Sequence, residues 1–278
     1  MTVTVTPPPG PAGTTRPTAT PGTVPTGRAD AARPTRAGSA DGPGPVSGTR
    51  TGDPAGTVDP RRAAGASDPA GGVDPRRHRL VAYTDGPAAA LTALHAATSP
   101  AVLPVGPGGH TLLPADVDAT CDRYTTPAGP RPRDGAGPEL GRIGDLVARR
   151  FPDGGPAGPD WTTGVAWIRL GLAERLLNRA AAHLRGRSVA GTTTLNLPMV
   201  RGLVADAAAG IAEARALLDT DPTPLDLTRV HQSLDEVGRT CLHLFGAAGF
   251  LADGPGGEAR VSELLADTYP PPTALEAT

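Results

Sequence analysis

The residues with the most evident chemical potential lie together in Cys241-Leu242-His243-Leu244-Phe245-Gly246-Ala247-Ala248-Gly249-Phe250. They place a thiol, an imidazole and two glycines at the end of an apolar seam. Leu227, Val230, Leu234, Val237, Cys241 and Leu244 recur at steps of three and four, the signature of one buried helical face. Gly246 stops that seam, because glycine best tolerates a left-handed cap. Backbone without Cβ atoms at a helix end can lie close to a flat or charged ligand. It also makes a tight turn, and spacing alone favours the turn.

Composition removes several other chemistries. Every basic residue is arginine, so a lysine Schiff base and a Walker lysine are both excluded. The formal charge of −2 gives no electrostatic case for nucleic acid or an anionic membrane. Cys121 and Cys241 form neither a disulfide framework nor a metal site, and Cys241 reads as a buried thiol. The six histidines, His78, His95, His110, His183, His231 and His243, show no ligand spacing. There is no Gly-x-Ser-x-Gly elbow. No apolar run is long enough to span a membrane, and the first residues lack the charged and apolar regions of a signal peptide. A cytoplasmic protein is the resulting expectation.

The elements that must position these residues occupy the second half of the chain. The 278 residues include 37 Gly and 33 Pro but only three Phe, three Tyr and two Trp. Residues 1–78 are Pro/Gly-rich with almost nothing to bury, and they read as a disordered tail. Within them Asp53–Arg62 recurs as Asp68–Arg77, a local duplication. Residues 79–127 read as a small α/β segment. Arg79–Thr84 is a strand ended by Asp85-Gly86, Ala88–Ala97 is a helix, and Ala101–Val105 with His110–Leu113 is a hairpin. Residues 128–158 read as a linker with a short helix over Leu140–Phe151.

Residues 159–269 read as a helical bundle, followed by a tail over 270–278. Asp160 is the expected N-cap of a helix running from Trp161 to Arg185. Val165, Ile168, Leu172 and Leu176 form one apolar row of that helix; Leu170, Ala173, Leu177 and Leu184 form another. Two rows predict burial on two sides. Asn196 caps the next helix, with Pro198 in its first turn, and that helix ends near Asp219. The third carries the seam that leads to Gly246. The last spans Glu258–Thr268. The predicted fold is mainly α, an antiparallel four-helix bundle.

Four separated motifs in this region resemble the C-terminal helical domain of the acyl-CoA dehydrogenases. They are Gly171-Leu172-Ala173-Glu174-Arg175-Leu176-Leu177, Leu184 to Gly191, Pro198 to Ala207, and His243 to Phe250. Their order and spacing match, over about residues 159 to 268. The resemblance makes residues 79–127 a possible remnant of the family's β-domain. It implies FAD and an acyl thioester substrate, carried on CoA or on a protein. It also implies a homo- or hetero-oligomer formed through the bundle. In that chemistry a carboxylate takes the α-proton, the β-hydrogen leaves as hydride to the flavin, and hydrogen bonds polarise the thioester carbonyl.

Carried over residue by residue, Arg187 matches the arginine at the FAD diphosphate, where a guanidinium suits by charge and fork geometry. A helix-end arginine that satisfies carbonyls fits the same position. His243, Leu244, Phe245, Gly246 and Ala247 match the segment that contacts FAD across the family's dimer interface. The chain also departs from the pattern. His243 replaces a glutamine, Ala247 a glycine and Ala190 a phenylalanine. The loop that supplies the base in many members has no counterpart, since Tyr269 runs straight into prolines. Some members carry the base near the position of Asp160, where an N-cap role also accounts for the residue. Glu258 and Glu263 are nearby carboxylates outside the motif. The family's N-terminal helical domain has no counterpart either. Two functions follow: a flavin-dependent α,β-dehydrogenase, or a non-catalytic relative that pairs with a full-length dehydrogenase and completes its flavin site.

Overall fold

A computed structural model describes residues 74–272 except 136, 252 and 253. The first repeat and nearly all of the predicted tail therefore lie outside the described residues. The elements run α1 (Arg76–Asp85), α2 (Pro87–Thr98), β1 (Val102–Leu103), β2 (His110–Pro114), α3 (Ala115–Thr120), β3 (Arg123–Tyr124) and β4 (Arg131–Pro132). They continue as β5 (Glu139–Ile143), β6 (Leu146–Arg150), α4 (Pro159–Arg185), β7 (Ser188–Val189), β8 (Thr192–Thr193), α5 (Pro198–Leu218), α6 (Pro224–Phe245) and α7 (Pro255–Thr268). The fold is mainly α.

Helix α4 is the axis. Its two apolar rows feed two separate cores. Trp161, Val165, Ile168 and Leu172 pack with residues of α1, α2, the strands and α7. Trp167, Leu170, Ala173, Leu176 and Leu184 pack with α5 and α6. The seam of α6 is buried as its spacing predicts, from Leu227 to Leu244. Helix α5 buries only Ala207, Ile211, Ala214 and Leu218, so it is an edge helix with one committed face. Thr223 and Asp226 close α6 with a capping box, which satisfies donors that helix geometry leaves orphaned.

Several local expectations are corrected. Residues 79–84 are helical, inside α1, not a strand. Asp74 accepts from the Arg76 amide at 3.0 Å and starts the helix. His78 and Ala82 are buried while Leu80 is exposed, a helical rather than alternating pattern. Packing on α4 overrides the β-propensity of Val81 and Tyr83. A Cβ on Gly171 would overlap the carbonyl oxygen of Arg79, and one on Gly164 would overlap Leu94, so these glycines let α1 and α2 approach α4 closely.

Residues 140–151 are a β-hairpin, not a helix. Gly144 (φ 54°) and Asp145 turn β5 into β6, which then pairs antiparallel with β2. The expected hairpin of 101–105 with 110–113 does not form: β1 pairs parallel with β3, and β2 joins β6. Residues 128–158 are therefore not a linker, because they carry β4, β5, β6 and the buried Phe151. Nor do residues 79–127 form a core of their own. They share one with α4 and α7, through Leu91, Leu112, Ile168 and Leu265 among others.

Helix starts shift modestly. Gly158 is the N-cap of α4, and Asp160 lies inside the first turn, where a carboxylate favours the helix dipole. Leu197 rather than Asn196 caps α5, with Pro198 first in the helix. Helix α7 begins at Pro255, not Glu258. Tyr269 closes the fold. Its hydroxyl meets the Leu112 amide at 3.1 Å, Thr111 Oγ1 at 3.0 Å and the Pro104 carbonyl at 3.3 Å, and its ring meets Trp161 edge-on. No described helix is long and apolar enough to cross a membrane.

Candidate functional site

The ends of α4 and α6 meet, and this junction gathers the sequence-predicted residues. Arg187 follows Gly186, the C-cap of α4. Its carbonyl accepts from the amide of Thr194 at 2.8 Å and from Thr194 Oγ1 at 3.2 Å, which fixes the β7–β8 hairpin beside it. Its Nη1 lies 3.3 Å from His183 Nε2. The His183 ring sits 5.5 Å from that of Phe245 at the end of α6. Among the described residues no carboxylate pairs with Arg187, so its guanidinium is available to an external anion.

The two glycines of the motif do different work. Gly246 has φ 59°, a conformation strained for any residue with a side chain, yet a Cβ there would meet nothing within 4 Å. Gly249 is the reverse: a Cβ would stand 2.7 Å from the Leu242 carbonyl oxygen. Gly249 thus folds the turn back onto α6, while Gly246 and Ala247 stay on the surface. Leu244 and Phe245 are core residues, 7% and 5% exposed, so their side chains face the protein. His243 lines an open concavity of about 560 Å³ with Leu203, Glu236, Arg239 and Thr240. Glu236, Arg239 and His243 are exposed on one stripe of α6, with Thr240 half-buried beside them. Their three- and four-residue spacing is visible in the sequence beside the buried seam.

A flavin dinucleotide fits this junction in part. Arg187 can meet a phosphate, His243 can give or accept one hydrogen bond, and Gly246-Ala247 present backbone. The candidate carboxylates are distant or already paired. Asp160 stands at the far end of α4, about 40 Å from Arg187 along a 27-residue helix. Glu258 binds Arg179 at 2.8 Å and lies 3.3 Å from Arg175 Nε. Glu263 pairs with Arg260 at 3.4 Å on the surface.

Sequence reasoning missed a buried polar node that joins α4, α6 and α7. Arg169 is fully buried. It donates to His231 Nδ1 at 2.6 Å, to Ser262 Oγ at 3.1 Å and to the Asp235 carboxylate. Burial, helped by the adjacent guanidinium, pushes His231 down to about 3, so the ring is neutral. This leaves His231 Nε2 as a buried donor without a partner. Within the node the Arg169 charge is met by Asp235, whose carboxylate is part-exposed and lines a small concavity with Ser262. A charged residue amid two apolar rows of α4 was its only signal.

Thiol chemistry is also excluded. His95 Nε2 lies 3.5 Å from Cys121 Sγ, but it donates to the Val102 carbonyl at 3.0 Å and so does not act as a base. Burial raises the Cys121 thiol and pushes Cys241 up to about 12. Among the described residues no cluster of His, Cys, Asp or Glu could hold a metal ion.

The chain is mainly helical, and parts of it superpose on parts of several solved structures. Superposition on the Tcur3481-Tcur3483 steroid ACAD G363A variant gives a TM-score of 0.45 at 18% identity, covering 57% of this chain and 54% of that one. The ChsE4-ChsE5 complex from Mycobacterium tuberculosis gives 0.42 at 18% identity, covering 59% and 53%. A glutaryl-CoA dehydrogenase from Mycobacterium smegmatis in complex with FADH2 gives 0.40 at 15% identity, covering 57% and 54%. The chain thus spans about half the length of each. No protein-family profile matches the sequence, and no curated protein matches it.

Proposed function

We propose that this chain is a flavin-site-completing subunit of an assembly of the acyl-CoA dehydrogenase type, acting with a dehydrogenase partner on an acyl thioester. The observation that carries this reading is the separation of functions along α4. Arg187, His243, Gly246 and Ala247 are exposed at one end, and among the described residues no carboxylate pairs with the arginine. Asp160, which lies near the position where some members of the family carry the base, is at the other. Catalysis by this chain alone needs a base beside the acyl α-carbon, but Asp160 stands a helix length from the junction, and Glu258 and Glu263 are paired with arginines. A second subunit that brings its own base and most of the cofactor contacts resolves the mismatch.

Bound FAD would supply the hydride acceptor. Arg187 would neutralise the diphosphate, with His183 behind it limiting the guanidinium's motion. His243 would contribute one hydrogen bond, and the Gly246-Ala247 backbone would border the cofactor. Leu244 and Phe245 would act indirectly, by anchoring the turn to the core.

The test is the visible spectrum of the purified chain, alone and co-expressed with a full-length acyl-CoA dehydrogenase from the same genome. The expected result is a colourless chain alone and a flavin-loaded complex. In that complex Arg187→Ala lowers the flavin content while the two chains still co-elute. Stoichiometric flavin on the isolated chain, bleached by an acyl-CoA, would instead establish it as a dehydrogenase in its own right. Absence of flavin from both preparations would reject a flavin role.

A further inference from the structure

Charge is distributed unevenly along the bundle. The end where α4 finishes, α5 begins and α6 finishes is built from residues 183–205 and 237–251. These hold Arg185, Arg187, Arg201 and Arg239 but no aspartate or glutamate, in a chain whose formal charge is −2. All four arginines are exposed. Among the described residues none of them forms an ion pair, whereas Arg76, Arg79, Arg149 and Arg179 farther away all do. Asp206 and Glu236 are the next carboxylates along α5 and α6, and Asp253 lies outside the described residues. The same end is rich in uncovered apolar groups. Five of the nine large apolar side chains exposed among the described residues fall here: Val189, Met199, Leu203, Phe250 and Leu251. Met199 is 84% exposed and Phe250 76%. Leu203 shares the concavity of about 560 Å³ with Arg239 and His243, and Glu236 is its one acidic residue.

Exposed apolar groups set among unpaired like charges mark a surface that another molecule covers. A second copy offering the same end would set arginine against arginine. A lipid surface is met best by one continuous apolar helix face. Here the apolar groups come from a hairpin, a helix start and a turn, around a concavity. A shaped face with carboxylates around an apolar projection complements all of these features.

We propose that this end docks an acidic face of a non-identical partner chain. Carboxylates of the partner meet Arg185, Arg201 and Arg239, and an apolar projection packs beside Met199 and Leu203. This rests on the partner reading above and adds the chemistry of the partner's face; Arg187 stays with the flavin diphosphate.

The experiment measures the affinity of the full chain for each full-length acyl-CoA dehydrogenase of the same genome, by sedimentation from about 0.05 to 0.5 M salt. One dehydrogenase should bind, more weakly as salt rises. Arg185→Gln/Arg201→Glu, at two exposed positions outside the flavin contacts, should weaken that binding at least about tenfold. The saturated complex of this variant should keep its flavin, because Arg187 is intact. Should the variant unfold, Phe250→Ser and the salt dependence of the unsubstituted chain carry the test. A flavin-loaded complex indifferent to salt and to these variants overturns the proposal and leaves the flavin reading standing. A flavin-free complex that responds to both rejects the flavin reading and leaves the docking surface standing. The proposal is also overturned if no dehydrogenase binds, if the chain alone self-associates through this end and the double variant abolishes it, or if the chain instead sediments with phosphatidylserine vesicles.

Discussion

The two sides of α4 hold the molecule together by different means. On the α5/α6 side the core is built from helix faces adjacent in sequence, and its specificity rests on one buried charge, Arg169. On the other side the core is assembled from α1, α2, six short strands and α7. Its closure rests on a neutral hub, the hydroxyl of Tyr269, which acts across 158 residues of sequence to Thr111. Local pairing tolerates an edge helix such as α5. Both sides use glycine for close approach, Gly210 between α5 and α6 and Gly164 and Gly171 where α2 and α1 meet α4. The difference shows how one helix can serve as a shared wall for two cores of unlike construction.

That comparison is broken most severely at the buried charge. Asp235→Ala should strand Arg169 and cost about 3–5 kcal/mol in urea unfolding, whereas Arg169→Met should cost less, because it removes the charge itself. The same side should respond to acid. His231 ordinarily titrates at 6.5 but is held at about 3 in the fold. The unfolded chain therefore binds the extra proton first. Stability should be fully present above pH 6.5 and fall as pH drops toward 3, by a few kcal/mol. Unfolding midpoints measured from pH 7 to pH 4 should lose part of this slope in His231→Gln.

On the other side, Gly171→Ala should force α1 away from α4 and cost about 1–3 kcal/mol, read by thermal unfolding. Tyr269→Phe should cost about 1–3 kcal/mol by leaving the Leu112 amide and its neighbours unsatisfied. Gly246→Ala, strained but unobstructed, should have the smallest effect, about 1–2 kcal/mol. The two tryptophans sharpen the comparison further, since Trp161 reports one core and Trp167 the other. If α4 couples the cores, urea curves for Trp161→Phe and Trp167→Phe should each superimpose on the circular-dichroism curve of the same variant. Separate fluorescence and circular-dichroism midpoints would show that the two sides unfold independently.

The candidate site was legible to a similar, uneven degree. Arg187 and the 243–247 segment were found as motifs, and the α4–α6 junction does bring their ends together through His183 and Phe245. The sequence did not reveal that Leu244 and Phe245 turn inward, or that Asp160 stands a helix length away. It did not mark the polar node either, because a single arginine within an apolar row looks like a surface residue until a carboxylate and an imidazole arrive from another helix. The hairpin at Gly144-Asp145 was missed for a different reason. Its strands are short, and Glu139 to Ile143 is largely exposed, so no clean alternation marks them.

The sequence by itself determined the helices with a single buried stripe, their stops at glycine and proline, and the two-sided burial of α4. Those features follow from side-chain periodicity and backbone sterics within a few residues. Only the tertiary structure decided that α1 is a helix, that the strands pair β2-β6-β5 and β1-β3-β4, and that Arg169, His231 and Asp235 meet. Each of these depends on groups far apart in the chain, whose favourable contact offsets a local preference or a desolvation cost only once the partner is in place.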